Sequence, residues 1–354
     1  MFQRGLIPLV LYLSLAPARL DAHPAPFSYL DVHLDAGGLS GRLVVHAIDV
    51  AHDLDLGDPE RLTDAGLVRQ IAPSLQALLE QRLAFVADGR RLAWSVLAAL
   101  PVADQSAVQI DWRAPGSGVP GRLTIEAVLF PYDPNHQTFV NVYEADALAR
   151  QAVLNRTRTR FDFYSGTRQG LRAVFTAFTA SGIHHIAIGP DHILFIIGLL
   201  LLGGTLPRLL AIVTAFTLGH SLTLALATLD ILNPPAHIVE PAIALSIVYV
   251  GADNLLVGKS GRDVRPLIAL FFGLVHGFGF AGVLRETGLP DRALGLSLFA
   301  FNVGVEIGQA AIVVVVASAL SLVRARSATL ARRIAIAGSI GVMIAGIFWF
   351  LERV

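Results

Sequence analysis

Ser181-Gly-Ile-His-His-Ile-Ala-Ile-Gly-Pro-Asp-His-Ile-Leu-Phe-Ile-Ile-Gly-Leu-Leu-Leu-Leu202 decides the fold class of this chain. It is long and apolar enough to enter a membrane, yet it carries three imidazoles and a carboxylate. An ionisable side chain inside a span costs roughly 2.5–3.5 kcal/mol even on the lenient insertion scale, so such residues point to function. Pro190 lacks an N–H and clashes with a preceding helical turn, so it sits poorly in a helix interior; in one continuous helix, His185 and His192 would lie seven residues apart on nearly one face. Gly189 as N-cap and Pro190 as first helical residue make a natural restart. Asp191 then lies in the first turn, where its charge suits the helix dipole. Irregular backbone at membrane depth is tolerated where it faces protein or a water-filled cavity.

Working outward, five more apolar stretches follow, near 208–229, 237–257, 265–285, 293–323 and 333–351. Each approaches the ~20 residues that cross the hydrocarbon. With 183–204 this predicts an α-helical polytopic membrane protein of about six spans over 183–354. Residues 166–182 read as an amphipathic linker helix on the membrane surface, with Leu171, Val174, Phe175 and Phe178 at helical spacing. The alternative is that 171–203 forms one broken helix. Arg208, then Lys259, Arg262 and Arg265, then Arg324, Arg326, Arg332 and Arg333 fall in alternate loops. The positive-inside rule makes those loops cytoplasmic and the N-terminal half extracytoplasmic.

That N-terminal half has another composition. Turn signals at Asp35-Ala-Gly-Gly38, Asp88-Gly89, Pro115-Gly116 and Asp133-Pro-Asn135 separate alternating runs. Leu123, Ile125, Ala127 and Leu129 fall on one face, with Thr124, Glu126 and Val128 opposite. This predicts a β-sandwich-like domain over 23–165, with a helical insert at 61–85 whose second helix opens at Pro73. His136 reads as a turn residue. Residues 1–22 read as a signal peptide, with Arg4, the apolar run 5–15 and cleavage after Ala22; an uncleaved anchor is the alternative. Cleavage would expose His23, whose α-amine and imidazole together form a chelate. The location that follows is a bacterial inner membrane, with the β-rich domain periplasmic.

Composition narrows the chemistry. The chain is 54% hydrophobic and 15% charged, with Lys+Arg equal to Asp+Glu, so bulk charge indicates no nucleic-acid partner. It has no cysteine, which excludes thiolate metal sites, cysteine-ligated clusters and covalent haem attachment. His184, His185, His192, His220 and His276 sit in or beside apolar stretches with few basic residues. A divalent transition-metal ion is the simplest source of the missing positive charge. Imidazole with carboxylate suits Ni²⁺, Co²⁺, Zn²⁺ or Cu²⁺. His184, His185, Asp191 and His192 would form an outer-mouth site. His220, His276, Asn302 and Glu306 would form a midplane site, with Asn302, Glu306 and Gln309 on one helix face. Gly273 and Gly277 allow close helix approach.

At these residues the chain resembles the HupE/UreJ family of membrane proteins. The matching pieces are His185-x5-Asp191-His192, Gly219-His220-Ser221, His276-Gly277-Phe-Gly-Phe-Ala281 and Phe301-Asn302-x-Gly304-x-Glu306. Phe130-Pro-Tyr-Asp-Pro-x-His136-x-Thr-Phe139 is similar to the branch with an extracytoplasmic domain. The resemblance implies nickel permeation, and His-x5-Asp-His is similar to the nickel–cobalt permease signature. The competing classes are an intramembrane zinc hydrolase-like enzyme, a bis-histidine haem protein using His220 and His276, and a metalloenzyme assembly factor. In the last, residues 23–165 would hold an extracytoplasmic protein partner. The zinc-protease pattern His-Glu-x-x-His is absent.

Overall fold

The computed structural model describes residues 27–256, 263–280 and 293–354 in full and the helical backbone of 281–286. The signal segment, His23, Lys259 and Arg262 lie outside the described residues, as does the side chain of Ala281.

The N-terminal part is a β-rich domain. Its larger sheet contains β1 (Phe27–Asp35), β2 (Gly38–His46), β5 (Ser95–Val102), β6 (Ala107–Pro115), β8 (Gln137–Glu144) and β9 (Ala147–Leu154), in the order β5-β6-β2-β1-β8-β9. Only the β1–β8 pair of this sheet is parallel. A smaller antiparallel sheet holds β3 (Leu83–Ala87), β4 (Arg90–Leu92), β7 (Arg122–Ala127) and β10 (Arg160–Tyr164), in the order β10-β7-β3-β4. The period-2 pattern explains the layering. Leu30, Val32 and Leu34 of β1 are buried, and so are Leu123, Ile125 and Ala127 of β7. These two faces share one core, closed by Phe85 stacked on Trp112 at 4.3 Å.

Two helices complete the domain, α1 (Ala47–Asp53) and α2 (Ala65–Glu80). The Asp64 carboxylate caps α2 by accepting from Gly66 N at 2.8 Å. Pro73 does not open a second helix; it lies inside α2. Val68, Ile71, Leu75 and Leu79 are buried on both sides of it, and that packing carries the helix across the missing bond. His136 is also more than a turn residue. It is buried, its Nε2 lies 3.0 Å from Ser28 Oγ, and its Nδ1 lies 3.7 Å from Asp49 Oδ2. Tyr132 donates to Asp49 at 2.5 Å. Burial pushes the Asp49 carboxyl up and the His136 imidazole down from their ordinary values. This network fastens the Phe130–His136 loop to β1 and α1.

The helical part begins with α3 (Arg168–Ile188) and α4 (Pro190–Leu201). There is no separate surface helix ending at 182. One helix runs to Ile188 and then bends by 71° into α4. The reason is packing. Val174, Phe178, Gly182 and Ile186 form one buried face at i, i+4 spacing. That face lies on α8 (Leu294–Arg326). A Cβ on Gly182 would come within 2.1 Å of Phe301 O, and one on Gly304 within 2.1 Å of Thr179 O. The start of α3 is tied to the β-rich domain, with Gln169 Nε2 donating to Asp88 at 2.8 Å and Gly166 N to Glu144 at 2.8 Å.

The remaining helices are α5 (Leu206–Thr228), α6 (Ala236–Leu256), α7 (Arg265–Glu286) and α9 (Ala328–Arg353). Among the described residues, α5, α6, α8 and α9 are long and apolar enough to span a membrane, and the bent α3–α4 pair makes a fifth candidate. The expected sixth, α7, has a shorter apolar stretch, Arg265–Phe280. The protein is thus a membrane protein of four to five such spans with an N-terminal β-rich domain. Arginines gather at one end of the bundle. Arg265 Nη1 donates to Leu199 O and Gly203 O at 2.9 Å each, and Arg324 Nη2 to Leu201 O at 3.2 Å. They satisfy the carbonyls that the end of α4 leaves without partners. Asp263 accepts from Arg208 and Arg265, and the two guanidiniums hold its carboxyl well below the usual range.

Candidate metal centre

Two pieces of backbone geometry assemble the site. The first is the bend. Gly189 N closes the last turn of α3 on His185 O at 3.0 Å, and Ile193 N opens α4 on Gly189 O at 3.1 Å. His185 and His192 therefore flank the kink, with ring centroids 4.6 Å apart. The second is close contact between α5 and α7. A Cβ on Gly219 would lie 2.3 Å from Leu270 O, one on Gly273 2.3 Å from Phe216 O, and one on Gly277 2.3 Å from His220 O. Only hydrogen fits at these positions, and the backbone contact brings His220 and His276 inward together.

The result is one cluster rather than an outer and a midplane site. His185, His192 and His220 each offer a ring nitrogen, and these atoms lie within 4.8 Å of one another. His276 stands beside them, its centroid 5.0 Å from that of His192. His220 is eight residues short of the end of α5 at Thr228 and fourteen past Leu206. At the helical rise that is about 12 Å from one end and about 21 Å from the arginine-bearing end.

The cluster has a polar deficit. His185 Nε2, His192 Nε2, both ring nitrogens of His220 and His276 Nδ1 are buried without a hydrogen-bond partner. Buried polar atoms are normally paired, and each orphan costs about 1–3 kcal/mol. Phe280 at 4.0 Å and Phe301 at 5.6 Å from His185, with Phe195 and Phe216 at 5.2 Å from His276, supply no polar atom. A cation that accepts several lone pairs at once would relieve most of the deficit, leaving the N–H of His220 to another partner.

His276 is set by a neighbour. Ser246 Oγ donates to Ile243 O at 2.6 Å, so towards His276 Nε2, 2.9 Å away, it acts as the acceptor. That assignment puts the proton on Nε2 and leaves the lone pair on Nδ1, the orphaned atom.

The other expected residues divide. His184 is exposed and lies outside the cluster. Asp191 is outside the cluster and paired with Arg353, Nη2 to Oδ2 at 3.0 Å, so this acid does have a basic partner. Asn302 donates to Leu298 O at 2.9 Å, while its Oδ1 is orphaned. Glu306 belongs to a second polar set between α5 and α8. Its Oε1 accepts from Thr214 at 2.5 Å and its Oε2 is orphaned; Gln309 accepts from Thr217 at 3.0 Å and its Nε2 is orphaned. Sequence reading missed Arg353, Ser246, Thr214 and Thr217 as partners. Ser246 left a trace, as a polar residue within an apolar span. Arg353 left none, since 162 positions separate it from Asp191.

Fold and cluster together define a polytopic helical membrane protein with an imidazole site inside the bundle. A family model described as HupE / UreJ protein matches residues 164–353, more than half of the chain and all of its long C-terminal helices. The chain belongs to the HupE/UreJ family. No curated protein matches it.

Proposed function

We propose that the protein is a permease for a divalent transition-metal ion, nickel or cobalt in preference to copper or zinc. The observation that carries this reading is the set of His185, His192 and His220 nitrogens within 4.8 Å of one another, buried and otherwise unpartnered. In a tetrahedral shell with metal–nitrogen bonds of about 2.1 Å, ligand nitrogens sit roughly 3.4 Å apart. Ring rotation would have to close the difference. His276 Nδ1 would supply a further ligand, and Asn302 would support His220. Glu306, Thr214 and Gln309 would form a separate, weaker stage towards the arginine-bearing end. Conduction needs binding sites that are multiple and weak enough to release. Imidazole binds metal only when neutral, so protons and metal would compete for the site.

The positive charge of the loops supports an orientation with the β-rich domain outside, at a bacterial inner membrane, where it would capture metal or regulate entry. The family resemblance supports nickel. Sequence features support residues 1–22 as a signal peptide. His184 and Asp191 would serve as groups flanking the site rather than as ligands, Asp191 through its pair with Arg353.

Metal flux into proteoliposomes tests the reading, using a panel of Ni²⁺, Co²⁺, Zn²⁺ and Cu²⁺. Saturable flux of one or more is expected. Folded protein that binds metal but passes none would favour an intramembrane metalloenzyme, because three imidazoles leave an open position for water.

The Ser246 contact gives a second expected result. Residues that orient a metal-bound imidazole typically contribute 10–100-fold in affinity. Ser246→Ala should therefore weaken Ni²⁺ binding by roughly tenfold or more, measured by calorimetry, with the melting temperature retained. Unchanged affinity would remove His276 from the ligand set.

A further inference from the structure

A cavity of 630 Å³ lies at the arginine-bearing end of the bundle, far from the imidazoles. Leu201, Leu202, Leu255, Ala331, Ala335 and Ile336 make most of its wall. Its deep polar groups are already engaged. Asn254 Nδ2 donates to Gly198 O at 2.8 Å and to Ser339 Oγ at 3.2 Å. The remaining polar lining is Arg324 and Arg332. Arg324 spends one nitrogen on Leu201 O, which fixes the guanidinium in place. Neither arginine has an ion pair among the described residues, whereas Arg208 and Arg265 at the same end share Asp263.

We propose that this cavity binds one anionic phospholipid, its phosphate between Arg324 and Arg332 and an acyl chain along the wall towards Ser339. Three observations favour a lipid over a free anion. Seven of the eleven lining residues are apolar, and a small anion would leave them facing water. Arg332 and Ser339 are seven residues apart on α9, a depth of about 10 Å, which suits a chain lying under a headgroup. The cavity's lining comes from the ends of α4, α6 and α8 and the first turns of α9, the level at which headgroups lie. Its volume is within the range of ligand sites, and basic pockets between spanning helices are a recurrent form of acidic-lipid recognition. The proposal is independent of the metal reading.

The test uses the full chain, stripped of lipid in detergent. Its melting temperature is followed while dioleoyl phosphatidylglycerol, dioleoyl phosphatidylcholine or inorganic phosphate is titrated in. Phosphatidylglycerol alone should raise it in a saturable way. Arg332→Gln and the cavity-filling Ala335→Phe should each weaken that response about fivefold or more. Arg333→Gln, one position along and not in the lining, should leave it unchanged. Equal stabilisation by phosphatidylcholine would overturn the proposal, as would an equal response to phosphate alone. So would an Arg333→Gln loss as large as that of Arg332→Gln. A folded Ala335→Phe variant with the original response would place the lipid elsewhere.

Discussion

His192→Ala should abolish metal binding while leaving a folded protein. His192 is the hub of the cluster, with centroids 4.6 Å from His185, 5.0 Å from His276 and 6.0 Å from His220. Loss of a residue that merely orients a ligand costs 10–100-fold, so loss of the ligand itself should cost roughly 100-fold or more. The fold has less at stake. The variant removes a buried imidazole whose Nε2 has no partner, and the cavity it leaves is partly offset by the lost desolvation penalty. Calorimetry with Ni²⁺, paired with a melting curve, separates the two effects. Near-native affinity in His192→Ala would dissolve the proposed site. His184→Ala is the matching control. Its side chain is exposed outside the cluster, and its affinity should stay close to that of the parent.

Gly304→Val should cause the largest loss of stability. Its Cβ would stand 2.1 Å from the Thr179 carbonyl, with backbone rather than a yielding side chain in the way. The only relief is to part α3 from α8, which unseats Val174, Phe178 and Ile186 and draws His185 out of the cluster. Overpacking a tight core costs about 1–3 kcal/mol where neighbours can yield, so a clash with backbone should cost about 3 kcal/mol or more. Poor recovery of folded protein and a sharply lower melting temperature are expected, and metal binding should fall in whatever fraction folds. Gly341→Ala is the contrast, because a Cβ there meets nothing within 4 Å. In a helix interior it should be neutral or stabilising by up to about 1 kcal/mol. A native melting temperature in Gly304→Val would mean that α3 does not rest on α8 as described.

Much of this architecture was legible because it depends on local pattern. Leu123, Ile125 and Ala127 alternate, and alternation selects a strand with one buried face. Gly189-Pro190 specifies a helix restart, and the bend falls there. The end of the linker helix was legible only as an alternative: one broken helix over 171–203 matches α3 and α4, while a surface helix ending at 182 does not. Nothing near residue 182 differs chemically from a surface helix; what carries α3 onward is Gly304, on a helix more than a hundred residues later. Pro73 failed for a related reason, since the tertiary packing of Ile71 and Leu75 overrides a local helix breaker.

In the site, residue type was informative and mutual position was not. Apolar context singled out His185, His192, His220 and His276, because imidazoles in spans are costly. Depth along each span suggested two tiers. The kink and the Gly219–Gly273–Gly277 contact merge them into one. Asp191 looked like a ligand because its neighbours in sequence are apolar, but its counter-charge arrives from the end of α9. Glu306 pairs with the Thr214 hydroxyl on α5 and is not one of the clustered imidazoles' neighbours in the ligand set.

The proposed function stands on His185, His192 and His220 holding one ion together. Zinc K-edge X-ray absorption of the purified, Zn²⁺-loaded protein tests it most directly, with zinc as a spectroscopic probe. The account predicts a nitrogen shell at about 2.0–2.1 Å. Its outer-shell scattering should fit three or four imidazoles, falling by one in His185→Ala and in His220→Ala. An oxygen-dominated shell with no more than one imidazole, unchanged by either substitution, would contradict it.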